Sequence, residues 1–115
     1  MGNSFVWIRG NMVREAEVRF TATGKAVATC TIAVNKQSTN GNKYAAYIPV
    51  VGWEEQANAL GVAGKGQYMT VIGELSTRSY EGKDGIKRFV MEVIARDVIV
   101  HSNGFKDPGD EEIPF

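Results

Sequence analysis

Tyr68-Met69-Thr70-Val71-Ile72-Gly73-Glu74-Leu75-Ser76-Thr77-Arg78-Ser79-Tyr80, then Glu81-Gly82-Lys83-Asp84-Gly85, then Ile86-Lys87-Arg88-Phe89-Val90-Met91-Glu92-Val93-Ile94-Ala95-Arg96-Asp97-Val98-Ile99-Val100 is the stretch that decides the fold. Two long runs of β-type residues flank a five-residue turn cluster with two glycines, the signature of a hairpin with a longer loop. Both arms exceed the usual strand length of about five or six residues, so the tip is expected to project beyond the body. Near that tip stand Arg78, Tyr80, Lys83, Lys87, Arg88 and Phe89. Cations interleaved with aromatic rings on a projecting ribbon suit a flexible polyanion with exposed flat bases, because amines and guanidinium groups follow phosphates and rings offer a stacking surface. A charged, solvated hairpin with no ligand would read the same way over this stretch alone.

The chain of 115 residues is long enough for one domain with a core of its own. No apolar run approaches the length that crosses a membrane, and the start, Met1-Gly2-Asn3-Ser4-Phe5-Val6, lacks the basic and apolar segments of a signal peptide. The lone cysteine, Cys30, excludes an internal disulfide and a cysteine-cluster metal site, and a reducing cytoplasm is the expected compartment. The net charge of zero is unevenly spread. Residues 1–105 carry twelve Lys and Arg against nine Asp and Glu, whereas residues 106–115 carry Lys106 against Asp107, Asp110, Glu111 and Glu112. A mildly basic body is therefore joined to an acidic end.

Along the chain, Phe5 to Arg9 reads as a short strand with a bend at Gly10-Asn11, and Glu17 to Thr21 continues extended. In Val27 to Asn35 the residues Ala28, Cys30, Ile32 and Val34 fall on one face and Thr29, Thr31 and Asn35 on the other, the pattern of a half-buried strand. Tyr44 to Trp53 is strand again, with Pro49 marking an edge or a bulge. Glu54 to Ala63 is the one helix-like segment, its leading glutamates suited to the positive end of a helix dipole. From His101 onward periodicity is lost, and a disordered tail is expected over residues 102–115. Five strands with a short helix between the third and fourth, all-β otherwise, give the element order of an OB-fold barrel, here spanning residues 1–101.

An enzyme finds little support. The single histidine, His101, stands at the edge of the tail, and no nucleophile with a spare base or carboxylate pair is evident, so neither catalysis nor a cofactor is expected. Gly61-Val62-Ala63-Gly64-Lys65-Gly66 has the wrong spacing for a dinucleotide loop, and Gln67 stands where a phosphate loop needs Lys. The aromatics say more. Strict alternation in Tyr47-Ile48-Pro49-Val50-Val51-Gly52-Trp53 puts Tyr47, Pro49, Val51 and Trp53 on one face. If that face lines a groove, Tyr47 and Trp53 are stacking platforms; if it faces the helix, they are core. The tail closes on Asp110, Glu111, Glu112, Ile113, Pro114 and Phe115. A terminal Phe joins a ring to an α-carboxylate, which suits a partner pocket with an apolar cup and a cation.

The chain resembles the bacterial single-stranded DNA-binding proteins over nearly its whole length. Val6-Trp7-Ile8-Arg9-Gly10-Asn11-Met12-Val13-Arg14, Glu17-Val18-Arg19-Phe20, Gly24-Lys25-Ala26-Val27-Ala28, Tyr47 to Trp53, Gly73 to Tyr80 and Glu92-Val93 resemble successive blocks of that family, and Asp-Glu-Glu-Ile-Pro-Phe resembles its partner-recruiting tip. The resemblance implies a homotetramer that binds single-stranded DNA without sequence preference in replication, recombination and repair. It implies base stacking at the positions of Tyr47, Trp53 and Tyr80, and a strand path past Arg78 and Arg88. It further implies recruitment of replication and repair proteins by the tip, with no membrane partner. Two departures stand out: Lys36-Gln37-Ser38-Thr39 lacks the aromatic often found there, so that one stacking platform is either missing or moved to Tyr44, and only about ten residues separate Val100 from Glu111.

Overall fold

The computed structural model describes residues 3–101. The expected tail, with its tip from Asp110 to Phe115, lies outside the described residues. Six strands and one helix follow in the order β1 (Val6–Met12), β2 (Glu17–Phe20), β3 (Ala26–Gln37), β4 (Lys43–Trp53), α1 (Glu55–Val62), β5 (Tyr68–Glu81) and β6 (Lys87–Val100). Five long strands form a mixed barrel, with the helix between the third and fourth of them. The expected bend at Gly10-Asn11 is absent: β1 continues through both residues to Met12 and the chain bends at Val13-Arg14, because Gly10 and Asn11 remain in the ladder with β5. The extended segment that follows is a short strand of its own, β2, paired antiparallel with the start of β3.

Closure depends on β1. Its residues Val6–Asn11 pair with β5, and Asn11 and Met12 then pair with Ala33 and Ile32 of β3. The change of partner requires the backbone at Gly10 to press against β3: a Cβ there would lie 2.2 Å from the Ala33 carbonyl oxygen. Asn11 is buried beside this contact and donates from Nδ2 to the Gly66 carbonyl at 2.9 Å. The Met12 amide donates to Gln67 and the Gly66 amide to Met12, so the turn after α1 is bound to the same point. Across the barrel β4 and β6 run parallel through Val50–Val93 and Val51–Ile94.

The even-numbered residues of β3 and β4 face inward. Ala28, Ile32 and Val50 join Met12, Met69, Val71, Val93 and Ala95 in the core, and Cys30 and Ile48 pack at its margin. Ala57 and Leu60 of α1 cover one end of this core, and the helix seats over Gly52. The helix begins one residue later than its sequence pattern suggests, because the chain must turn sharply out of β4. Glu54 makes that turn at φ 54°, a left-handed conformation that costs a non-glycine residue roughly 1–3 kcal/mol. Its amide is held by the Ala26 carbonyl at 2.8 Å.

Gly10→Ala should therefore lower stability by about 3 kcal/mol, since the added methyl meets backbone and not a side chain that could swing away. Urea unfolding followed by far-UV circular dichroism checks this, with the expected result a fall in midpoint at unchanged slope.

Candidate nucleic-acid interface

Since the even positions of β3 and β4 are committed to the core, their odd positions face outward. Val51 pairs with Thr29, Pro49 with Thr31, Tyr47 with Ala33 and Trp53 with Val27. Tyr47 is 59% exposed and Trp53 43% exposed. It is Gly52 that faces α1, so Trp53 is not buried against the helix. The two rings stand at opposite ends of one outward face, six residues or about 20 Å apart along β4. Because β6 is parallel to β4, the tip end of the β5–β6 hairpin lies towards Tyr47.

The hairpin has two unlike faces. On one, Ser76 pairs with Glu92, Arg78 with Val90 and Tyr80 with Arg88; on the other, Thr77 pairs with Met91, Ser79 with Phe89 and Glu81 with Lys87. The first face continues the outward side of β4. Arg78, Val90 and Glu92 share with Thr29, Thr31, Pro49 and Val51 a shallow cleft of about 390 Å³. Tyr80, 44% exposed, stands beyond it towards the tip. The second face prolongs the core side past the end of the barrel and exposes three large apolar side chains among its polar ones, Leu75, Met91 and Phe89, with Phe89 74% exposed.

The cations separate by how they are held. Arg78 donates from Nε to the buried Glu92 carboxylate at 3.1 Å. Its Cζ sits 6.0 Å from the Tyr80 ring centroid, a cation–π distance. The carboxylate takes only the Nε edge, and the two terminal nitrogens remain available to a ligand. Arg88 is held differently. Both its terminal nitrogens reach Asp84, at 3.2 and 2.7 Å. The Arg88 bonds, and secondarily the Ile86 amide, hold the Asp84 carboxyl below the usual carboxylate range. Lys83 occupies the turn and Lys87 begins β6, both exposed.

The structure thus brings Tyr47, Trp53, Tyr80, Arg78 and Arg88 to one side of the molecule. Lys83 sits at the tip between the faces, and Lys87 and Phe89 lie on the opposite face. Tyr44 pairs with Lys36, three residues and one face removed from Tyr47. The opposite wall of the cleft comes from residues that were not singled out in the sequence: Arg14 and Glu15 from the bend after β1, and Glu17 and Arg19 from β2. Arg19 is paired with Glu17 through two nitrogens. The register Glu17–Thr29 and Arg19–Val27 carries them there. The alternation of β3 already put Thr29 on the polar face, and the missing step was the strand pairing. Cys30 lies beneath the cleft, and burial pushes its thiol up to about 11, which keeps it protonated and unreactive at neutral pH.

A five-stranded barrel with its helix after the third long strand and a two-faced, projecting hairpin defines an OB-fold protein. Residues 3–101 match the model of the single-strand binding protein family, and the chain belongs to that family. It is 44% identical over 91 residues to the single-stranded DNA-binding protein of Streptococcus pneumoniae, an overlap of 76% of this chain and 58% of that protein. It is 40% identical over 92 residues to single-stranded DNA-binding protein 3 of Clostridium acetobutylicum, covering 77% of this chain and 64% of the relative. With the Bacillus cereus single-stranded DNA-binding protein it shares 41% over 92 residues, covering 77% and 54%. The chain therefore spans about three fifths of the length of these relatives.

Proposed function

We propose that the chain binds single-stranded DNA without sequence preference and protects it during replication, recombination and repair, with no catalytic step of its own. The observation that carries this reading is the outward face on which Tyr47, Trp53 and Tyr80 stand exposed around a cleft bordered by Arg78, Arg14 and Arg19. A ring stacks on any base, so three exposed rings provide affinity without selecting sequence, each worth about 1–3 kcal/mol. Unpaired bases reach such rings, whereas a duplex keeps its base faces inside the stack. Family membership and the names of the relatives support the same reading. Of the remaining cations, Lys83 stands exposed at the tip, and Lys87 and Phe89 on the hairpin's second face add a cation and a ring for a strand that wraps the tip.

The reading extends to assembly and partners. Residues 1–101 form the DNA-binding domain and act within a homotetramer, in the bacterial cytoplasm. The exposure of Trp7, Leu75, Met91 and Phe89 in the single chain supports an assembly that covers some of them. Residues 102–115 act as an acidic tail. Its tip, Asp110, Glu111, Glu112, Ile113, Pro114 and Phe115, recruits replication and repair proteins through an apolar cup with a basic rim.

Titration with oligo-dT tests the binding. Tryptophan emission should be quenched, Trp53→Phe should remove most of the quenching, and Trp7→Phe should leave it in place, because Trp7 lies on β1 opposite Ile72 and away from the cleft. The log–log dependence of affinity on salt should have a slope near −0.7 per phosphate neutralised. Equal affinity for duplex DNA, or a slope near zero, would point instead to an oligomeric protein-interaction scaffold.

The tail is tested by a pull-down from a bacterial lysate. Phe115→Ala removes the ring and keeps every charge, so it should abolish most partner capture and leave oligo-dT affinity unchanged. Identical partner sets for wild type and Phe115→Ala would leave the tail as a solubilising segment only.

A further inference from the structure

The turn of the hairpin contains a contact whose geometry copies that of a bound phosphate. Arg88 points back over the turn and places both terminal nitrogens on the two oxygens of Asp84, at 3.2 and 2.7 Å. A guanidinium fork gripping a planar pair of oxygens is also the way arginine grips phosphate. Arg88 is the cross-strand partner of Tyr80, so this fork lies on the face that carries Arg78 and the cleft. The turn is built to admit it. A Cβ at Gly82 would fall 2.1 Å from Arg88 Nη1 and 2.9 Å from Asp84 Oδ1, so the absence of a side chain at 82 is what lets the guanidinium lie down on the carboxylate. Asp84 is fixed in turn, since its Oδ1 accepts the Ile86 amide at 3.0 Å.

We propose that Asp84 is an internal stand-in for phosphate: it occupies the fork of Arg88 and sets the DNA affinity of the hairpin below what its cations would otherwise give. The inference rests on the reading of this face as the one that meets single-stranded DNA. A strand reaching the tip must displace a carboxylate before Arg88 engages a phosphate, so that arginine contributes only the difference between two similar contacts. Arg78 works under the opposite arrangement, because Glu92 holds its Nε edge and leaves the outer nitrogens open. Arg88 first, and then the Ile86 amide, lower the pKa of Asp84, so the carboxylate is ionised and the contact closed throughout the neutral range. Both groups are about half exposed, so the contact is weak enough to exchange.

Two substitutions open it by different routes. Asp84→Asn removes the charge and retains an oxygen for the Ile86 amide, so the turn keeps its shape. Gly82→Ala drives the Arg88 guanidinium off the carboxylate sterically and leaves every charge in place. Each should raise affinity for oligo-dT about three- to tenfold at roughly 50 mM salt. Each should also make the log–log salt slope steeper by about 0.7, the increment for one further phosphate neutralised on a single strand. In an Arg88→Gln background the gain from Asp84→Asn should shrink to a small remainder. Unchanged affinity and slope in both variants overturn the proposal, as does a fall in affinity, which would make the ion pair a brace that organises the tip for binding. An equal gain with and without Arg88 also overturns it, since the carboxylate would then act by general repulsion. The wild type in the same titration separates the two levels: if it binds and the variants match it, only the stand-in fails, whereas no binding by wild type removes the DNA-binding reading and this inference with it.

Discussion

Everything on the outer surface follows from how β1 closes the barrel. A strand that pairs with β5 along most of its length and then with β3 at its last two residues must bring two backbones closer than a side chain allows, and Gly10 against the Ala33 carbonyl is where this happens. Once β1 bridges β5 and β3, the even side of β3 and β4 has no choice but the interior. The odd side is then outside, and with it Tyr47 and Trp53. The same closure leaves β5 and β6 longer than the barrel they build, so the excess of both arms becomes a free-standing ribbon. A ribbon with no core beneath it exposes both faces, which is why Arg78 and Arg88 on one face and the exposed Phe89 and Met91 on the other stand within a few residues of each other.

Ion pairing then decides what each arginine is for. The chain has no net charge, and most of the arginines on this side are compensated locally: Arg78 by Glu92, Arg88 by Asp84, Arg19 by Glu17 and Arg96 by Glu74. These pairs differ in physical character. A buried carboxylate such as Glu92 must keep its partner, because an unpaired buried charge is costly. It therefore orients Arg78 without being exchanged. An exposed carboxylate such as Asp84 gives up its partner at little cost. A chain of zero net charge is thus compatible with a polyanionic ligand, provided the compensation is weakest where the ligand arrives.

Much of this was legible in the amino-acid sequence, and the reasons are specific. The alternation Ala28, Cys30, Ile32, Val34 identified both faces of β3, and the alternation from Tyr47 to Trp53 put both rings together; these are local consequences of the two-residue strand period. The hairpin was readable because its turn residues and both arms are contiguous. Alternation alone could not say whether the Tyr47 face met the helix or solvent, since that depends on Gly52 packing under Leu60. Nor could it place Phe89, which is adjacent to Arg88 in sequence and for that reason on the opposite face of the ribbon. Arg19 was missed because it reaches the cleft only through the pairing of β2 with β3, a contact that leaves no periodic mark in a four-residue strand. Arg14 was missed because it is placed by the end of β1 crossing onto β3, where the Val13 amide donates to Thr31. The separation of Arg78 from Arg88 was invisible for a similar reason. Both read as free cations until the register brings Glu92 opposite Ser76 and the turn brings Asp84 under Arg88.

The division between a fixed and an exchangeable arginine bears on how such a surface holds a polymer without reading it. Rings distribute affinity over many equivalent bases, and no single base contact then anchors the strand. Strong, preorganised cations at every position would pin the phosphates in one register. On the proposed reading, a surface with one oriented arginine by the cleft and one arginine sharing its fork with an internal carboxylate would hold the strand firmly at the barrel and loosely at the tip. Breaking a loose contact costs little, because Arg88 returns to Asp84 and not to bare water. The barrier to shifting such a strand by one nucleotide would be lower for the same reason. Affinity given up at the tip would in this way be converted into mobility of a bound strand, which is what the proposed function of coating DNA without fixing it in one register calls for.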